Sequence, residues 1–204
     1  MNKKKMKEST KNQQIILASS SLTRAKIIKR YFRNVIIKEH KINEEKIKTN
    51  YQDLTPENLV VRLAKEKARS LLKDYEEKII IGSDQILICK NKRIDKAANI
   101  EEAKKKLLFM RGREHLLMSS IYVLKNGEFF FKELKKATLY FRNIENKEIE
   151  QYLEKNSESA LMSVGAYRIE ENNKHNFVKI LSGDLETIKG FPVKNFINKL
   201  KATK

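Results

Sequence analysis

One stretch, Ile79–Cys89, constrains this chain more than any other. It is an apolar run that is interrupted by four small or polar residues, Gly82, Ser83, Asp84 and Gln85. The run predicts a buried strand over residues 78–90, and an unpaired carboxylate in such a strand is strongly destabilising. Asp84 therefore needs a structural partner, such as a helix end or an arginine, or it faces a cleft as general base or metal ligand. We expect Gly82 to allow a β-bulge that turns the side chains of Asp84 and Gln85 towards such a cleft.

The segments around this strand alternate between strand and helix patterns. Thr55 and Pro56 are typical of an N-cap and a first helical turn, and Asn126-Gly127 is typical of a hairpin turn. The other expected elements are strands over 15–18, 35–38, 161–169 and 176–181, hairpin strands over 113–124 and 128–143, helices over 24–32, 99–109, 144–154 and 192–201, and a surface loop over 40–53. With no repeat or linker, the pattern predicts one α/β unit, with two lobes around a cleft as an option.

Several cations occupy positions that need an explanation. Lys67 lies on the apolar stripe of its helix, where it either extends to the rim of the core or binds an anion. Arg24 lies in the first turn of a helix, which the helix dipole disfavours unless an anion binds there. With Lys96 and the serine turn that contains Ser19 and Ser21, these cations are suited to a polyphosphate. The substrate's magnesium would then be held by Asp84 and Glu44.

Charge and composition restrict the possible classes of protein. The 204 residues carry a formal net charge of +18, which suits a nucleic-acid or anionic-membrane binder but also a generally lysine-rich composition. Residues 1–14 are expected to form a basic disordered tail, and residues 15–204 a single domain. With one cysteine, an intrachain disulfide is excluded. No hydrophobic leader and no apolar run of about 20 residues is present, so we expect a cytoplasmic protein with no membrane partner.

Other candidate sites are weaker. His40, His115 and His175 have no metal-ligand spacing, and neither a Walker loop nor a dinucleotide glycine motif is present. Cys89 is expected to be an inert core thiol. The aromatic residues at 129–131, 140 and 141 are expected to lie in the core rather than to stack on nucleic-acid bases.

Six sequence motifs, in this order, resemble those of the Maf-like nucleoside triphosphate pyrophosphatases. They are LASSSLTR at 17–24, RLAKEKA at 62–68, IGSDQ at 81–85, DKA at 95–97, GAY at 165–167, and GD at 183–184 with GFP at 190–192. The resemblance spans about residues 15–200. It implies an α/β fold with a long curved mixed sheet and a cleft between two lobes. It also implies hydrolysis of a nucleoside triphosphate to the monophosphate and pyrophosphate, with Mg²⁺ or Mn²⁺.

The resemblance also implies roles for individual residues. Asp84 corresponds to the proton acceptor that activates water, and Glu44 to an acidic residue that helps to bind the metal. The phosphates are expected to contact Arg24, Lys67 and Lys96. Asn43 stands where the family commonly has an aspartate.

Base choice is expected to involve Thr23, Gln85 and Glu170. The Gln85 and Glu170 pair resembles that of the subgroup that acts on 7-methyl-GTP. The chemistry is compatible with this resemblance, since a carboxylate accepts hydrogen bonds from a purine ring N–H and amino group. Thr23 matches neither that subgroup nor the one acting on dTTP and UTP, since Ser21-Leu22-Thr23-Arg24 replaces the usual Ser-Pro-Arg-Arg or Ser-Pro-Trp-Arg.

Two alternatives stay open at this point. One is a pyrophosphatase for dTTP or UTP, and the other is a non-catalytic basic protein that binds nucleic acid or regulates division. The positive charge does not by itself require a nucleic-acid partner, and we expect none. A homodimer is compatible with a domain of this size.

Overall fold

The computed structural model describes residues 13–203, so the predicted tail lies outside the described residues except for its last two positions. Strands occur at β1 (Ile15–Ala18), β2 (Val35–Lys38), β3 (Ile79–Cys89), β4 (Lys92–Ile94), β5 (Arg113–Lys125), β6 (Glu128–Phe141) and β7 (Val178–Ser182). Helices occur at α1 (Leu22–Ile28), α2 (Glu44–Asn50), α3 (Pro56–Arg69), α4 (Leu72–Tyr75), α5 (Ile100–Met110), α6 (Asn146–Leu161), α7 (Asn172–His175), α8 (Leu185–Ile188) and α9 (Lys194–Ala202).

These strands form one mixed sheet. Its order is β2-β1-β3-β5-β6-β7, and β4 pairs with β3. Strand β1 is parallel to β2 and to β3, whereas β4 and β7 are antiparallel to their neighbours β3 and β6. The predicted α/β class and mixed sheet are confirmed.

The chain forms two compact units, each with its own apolar core. The first unit contains the described residues up to Asp84, Ser119–Lys135 and those from Gly190 onward. The second unit contains Gln85–Met118 and Lys136–Lys189. Two compact units agree with the expected pair of lobes, and the cleft between lobes stays a prediction.

In the first unit, helix α3 lies directly against strand β3 at Gly82. A Cβ atom on Gly82 would lie 2.0 Å from the carbonyl oxygen of Ala64 and 2.6 Å from the nitrogen of Ala68. Only a residue without a side chain permits this approach. Gly82 is therefore needed for the packing of the helix, and the bulge that we expected there stays a prediction. Lys67 lies on the same buried face of α3 as Ala64 and Ala68.

The predicted loop over 40–53 is wrong, because α2 forms within it. Asn43 caps this helix, its side chain accepting a hydrogen bond from the backbone N–H of Lys46. Two acidic residues, Glu44 and Glu45, occupy the first turn, where they complement the helix dipole. The helix buries none of its residues, so the apolar periodicity that reveals other helices is missing.

The predicted strand over 161–169 is also wrong. Helix α6 extends to Leu161, and two 3-10 turns follow at Val164–Ala166 and Ile169–Glu171. Gly165 and Ala166 have φ values of +74° and +58°, which no strand accommodates. The expected helix over 24–32 is shorter, because α1 ends at Ile28.

Cys89 and most of the aromatic residues that we expected in the core are at least partly buried. Cys89 is buried, and burial raises the pKa of its thiol, in keeping with an inert core residue. Phe130 and Phe131 pack against Phe196, and Phe141 is fully buried, but Phe129 is 55% exposed. Within residues 13–203, no helix combines the length and apolar character needed to cross a membrane.

Candidate active site

The first unit contains a buried ion pair between Lys67 on α3 and Asp84 on β3. Lys67 Nζ lies 2.5 Å from Asp84 Oδ1, and the two residues are only 4% and 6% exposed. The partner that Asp84 requires is therefore a lysine, rather than the helix end or arginine considered for a structural role. Lys67 does not extend to the rim of the core. A buried pair of this kind is costly to desolvate, so it is weak evidence for stability.

Glu44, the first residue of α2, shares the same lysine. Lys67 Nζ lies 2.9 Å from Glu44 Oε1, and His40 Nε2 lies 3.0 Å from the same oxygen. Burial by itself raises the pKa of Glu44, but the hydrogen bonds and positive charges of His40 and Lys67 outweigh it and hold the pKa well below its usual range. Glu44 is therefore ionised and bound to Lys67 at neutral pH.

Arg24 on α1 is held by backbone oxygens. Its Nε donates to the carbonyl of Gly190 at 3.1 Å, and one terminal nitrogen donates to the carbonyl of Ser83 at 2.7 Å and to Ser19 Oγ at 3.4 Å. Ser83 Oγ donates to the same Gly190 carbonyl at 2.9 Å. These contacts fix the guanidinium next to the residue that precedes Asp84.

The charges of this site balance. Burial lowers the pKa of Arg24, while the negative charges of Asp84 and Glu44 act in the opposite direction. Arg24 and Lys67 thus face two carboxylates, and these four side chains have no net charge. A triphosphate that enters the site would bring negative charge that these residues alone do not neutralise.

The serine turn before α1 is ordered by its own hydroxyl groups. Ser19 Oγ accepts a hydrogen bond from Ser21 N at 3.2 Å. Ser21 is the N-cap of α1, and its Oγ accepts from Arg24 N at 3.4 Å. Thr23 lies half-buried in the first turn of the same helix. The turn therefore positions Arg24, and phosphate binding by Ser19 and Ser21 stays a prediction.

Glu44 and Asp84 are suited to hold a divalent cation, with the phosphate oxygens of a substrate as its further ligands. Among residues 13–203, no group of three His, Cys, Asp or Glu side chains is suited to hold a metal ion. Mg²⁺ in nucleotide sites is commonly held by one or two carboxylates and by phosphate oxygens. The two carboxylates, bridged by Lys67, match that donor set.

Three other predicted site residues belong to the second unit. Lys96 is exposed between β4 and α5, and its carbonyl accepts a hydrogen bond from Lys106. Gln85 Nε2 donates to the carbonyls of Thr187 and Ile188 at 3.1 and 3.0 Å. Glu170 lies 3.5 Å from Arg168 in a weak ion pair. The roles expected for Lys96, Gln85 and Glu170 stay predictions.

Sequence reasoning missed three residues of the site in the first unit: His40, Ser83 and Gly190. Gly190 belongs to a motif that carried the family resemblance, and Ser83 to the polar segment of β3, so both had a signal. His40 had only its position four residues before Glu44. Contacts across 166 and 59 residues of sequence, as Arg24 makes with Gly190 and Ser83, are not visible in a linear pattern.

An α/β fold with a buried carboxylate and lysine, a backbone-held arginine and a second carboxylate is suited to an enzyme that acts on polyphosphates. The family comparison agrees with this class. A family model described as "Maf-like protein" matches residues 14–203. The chain belongs to the Maf-like family, as its motifs indicated.

Individual relatives support the same family. A protein of Bartonella henselae named 7-methyl-GTP pyrophosphatase is 33% identical over 92% of this chain and 94% of its own. A protein of Pelagibacter ubique named nucleoside triphosphate pyrophosphatase is also 33% identical, over 94% of this chain and 98% of its own. A solved dITP/XTP pyrophosphatase of Mycobacterium abscessus matches 65% of this chain and 76% of its own, with a TM-score of 0.41 and 12% identity.

Proposed function

We propose that this protein is a nucleoside triphosphate pyrophosphatase, a hydrolase that cleaves the bond between the α and β phosphates. The products are a nucleoside monophosphate and pyrophosphate. The single observation that carries the proposal is the buried Lys67–Asp84 pair, 2.5 Å apart, in a chain of the Maf-like family. The names of the relatives from Bartonella and Pelagibacter support the same reaction.

In this mechanism Asp84 is the general base. Lys67 donates to Asp84 Oδ1, and we assign to the other carboxylate oxygen, Oδ2, the proton that is taken from water. The water oxygen forms a bond to phosphorus while the bond to the bridging oxygen breaks. The electron pair of that bond leaves with the departing phosphate group. The ammonium of Lys67, in contact with Oδ1, orients the carboxylate for this proton transfer.

Arg24 and Lys67 stabilise the charge that spreads over the phosphate oxygens. Arg24 is fixed by three acceptors, two of them backbone carbonyls, so little reorganisation is needed when charge develops. We assign the same role to Lys96. A Mg²⁺ or Mn²⁺ ion bound with the nucleotide supplies additional positive charge. Glu44 and Asp84 are the residues that would hold it.

For the base, we propose 7-methyl-guanine. Relatives named for 7-methyl-GTP and for nucleoside triphosphates in general are equally identical to this chain, so the support comes from Gln85 and Glu170. A carboxylate at position 170 suits the ring N–H and amino group of a purine. The amide nitrogen of Gln85 donates to two backbone carbonyls, which fixes its orientation. Substrates with thymine or uracil are the alternative.

A nucleotide panel tests both levels of the proposal. Pyrophosphate release is measured with 7-methyl-GTP, dTTP, UTP, ITP and methylated pyrimidine triphosphates. Asp84→Asn should lower kcat at least about a hundredfold and leave the folded structure intact, as judged by circular dichroism. Preference for dTTP or UTP would reject the choice of base only. Retained turnover in Asp84→Asn would reject the role of Asp84.

The same preparation tests the alternative of a basic binding protein. That alternative predicts tight, strongly salt-dependent binding of RNA or DNA and no pyrophosphate release from any nucleotide. A nucleotide substrate implies action in the cytoplasm. Light scattering tests whether the enzyme is a homodimer.

A further inference from the structure

His40 makes a contact that the proposed chemistry does not yet use. Its Nε2 lies 3.0 Å from Glu44 Oε1, and its side chain is 15% exposed. Lys67 Nζ lies 2.9 Å from the same oxygen. Because a carboxylate only accepts hydrogen bonds, the Nε2 atom of His40 must carry a hydrogen and donate it. Glu44 Oε1 thus receives two donors, and Oε2 is the oxygen left for another ligand.

The backbone beside His40 is fastened to the helix that carries Lys67. The N–H of Lys41 donates to Ser70 Oγ at 3.1 Å, and Ser70 Oγ donates to the carbonyl of Lys67 at 2.8 Å. Lys41 Nζ also pairs with Asp74 Oδ2 at 2.5 Å. The segment that carries His40 and the helix that carries Lys67 are therefore linked at the C-terminal end of α3, which fixes the two donors to Glu44 relative to each other.

His40 makes this contact at a cost. Its Nδ1 is buried and has no hydrogen-bond partner among the described residues, which is unfavourable for a polar atom. The position of the imidazole thus favours the hydrogen bond from Nε2 to Glu44 Oε1 and leaves Nδ1 without one. Glu44 without this bond would keep only the contact to Lys67, and its flexible side chain would have to be ordered when a cation binds.

We propose that His40 is a positioning residue that holds Glu44 Oε1, so that Oε2 is oriented to bind a divalent cation. The inference rests on the proposed function only in that this cation accompanies the nucleotide. A partner that fixes a metal-binding carboxylate typically contributes about 10- to 100-fold to metal affinity or activity. His40 therefore acts on the cation and not on the nucleobase.

The test compares the full-length protein with His40→Ala, His40→Gln and Glu44→Ala. Mn²⁺ binding is followed by the electron paramagnetic resonance of the free ion, with Mn²⁺ alone as probe. In parallel, kcat and KM for the nucleotide are measured at limiting and saturating Mg²⁺. Thermal unfolding shows whether each variant is folded.

His40→Ala should weaken Mn²⁺ binding and raise the Mg²⁺ concentration for half-maximal activity, each by about tenfold, with KM at saturating Mg²⁺ within about twofold of wild type. His40→Gln retains an N–H donor and should recover most of this loss. In the Glu44→Ala background, His40→Ala should have no further effect.

Unchanged Mn²⁺ binding in folded His40→Ala would overturn the inference, as would additive losses with Glu44→Ala. A wild-type protein that binds no Mn²⁺ and needs no divalent cation would overturn it as well. The binding measurement requires no turnover. A protein without pyrophosphatase activity would therefore reject the proposed function and leave the role of His40 to be decided by Mn²⁺ binding.

Discussion

Replacing Lys67 by methionine tests how the charges of the site are balanced. Lys67 contacts Asp84 Oδ1 at 2.5 Å and Glu44 Oε1 at 2.9 Å. At an effective dielectric constant of about 20, unit charges about 4 Å apart attract by about 4 kcal/mol. Much of that gross attraction is offset by desolvation. Lys67→Met removes both attractions at once and leaves two carboxylates without the lysine that they share.

We therefore expect Lys67→Met to lower the free energy of unfolding by about 3–5 kcal/mol, the usual range for breaking a buried ion pair. Asp84→Asn should cost only about 1 kcal/mol, because Lys67 keeps Glu44 and an amide oxygen still accepts its hydrogen bond. Lys65→Met is a matched control on the same helix. Lys65 lies 6.0 Å from the ring centroid of Tyr122, and its loss should cost about 1 kcal/mol or less.

Urea unfolding at pH 7, monitored by circular dichroism, measures these differences. At a denaturant dependence of about 2 kcal/mol per molar urea, Lys67→Met shifts the midpoint downward by about 2 M. A shift no larger than that of Lys65→Met would refute the idea that Lys67 compensates the buried carboxylates. Equal destabilisation by Asp84→Asn and Lys67→Met would refute the shared role of Glu44.

Three further predictions concern stability and metal dependence. Burial lowers the pKa of His115 to about 4. The contribution of neutral His115 to the free energy of unfolding is therefore complete above the unfolded-state pKa of about 6.5. This contribution should fall by about 3 kcal/mol as the pH drops to about 4. Thermal unfolding against pH measures this loss, which His115→Gln should reduce. Gly82→Ala brings a Cβ to 2.0 Å from Ala64 O and should destabilise the protein by about 3 kcal/mol or more, measured by urea unfolding; a wild-type midpoint would contradict this packing. Removal of divalent cations with EDTA should abolish pyrophosphate release and excess Mg²⁺ should restore it, whereas activity that survives EDTA would argue against a metal.

Elements with a local signal could be predicted from the sequence. The apolar run at Ile15–Ala18 forms β1, and β3 lies within one residue of its predicted ends. Thr55 caps α3, and Pro56 begins it. Asn126 and Gly127, with φ values of +50° and +80°, form the predicted turn between β5 and β6. In each case the signal lies in the residues themselves, as apolar content, capping oxygen or turn geometry.

Elements whose conformation depends on distant contacts could not be predicted in this way. Helix α2 buries no residue, and its sequence therefore does not need the apolar periodicity that distinguishes a helix from a loop. Gly165 has a φ of +74° in the segment where a strand was expected. A Cβ atom on Gly165 would lie 2.6 Å from Leu87 Cδ1. That close approach is made by a residue 78 positions away along the chain. Neither outcome follows from local propensity.

By itself, the sequence determined the α/β class, the family and the unusual placement of Asp84, Lys67 and Arg24, because motifs and buried polar residues are local properties. Only the tertiary structure decided which charges meet. It pairs Asp84 with Lys67, shares that lysine with Glu44, and adds His40, which no motif had indicated. The physical reason is that an ion pair depends on distances of about 3 Å, and those are fixed when Gly82 lets α3 pack directly on β3.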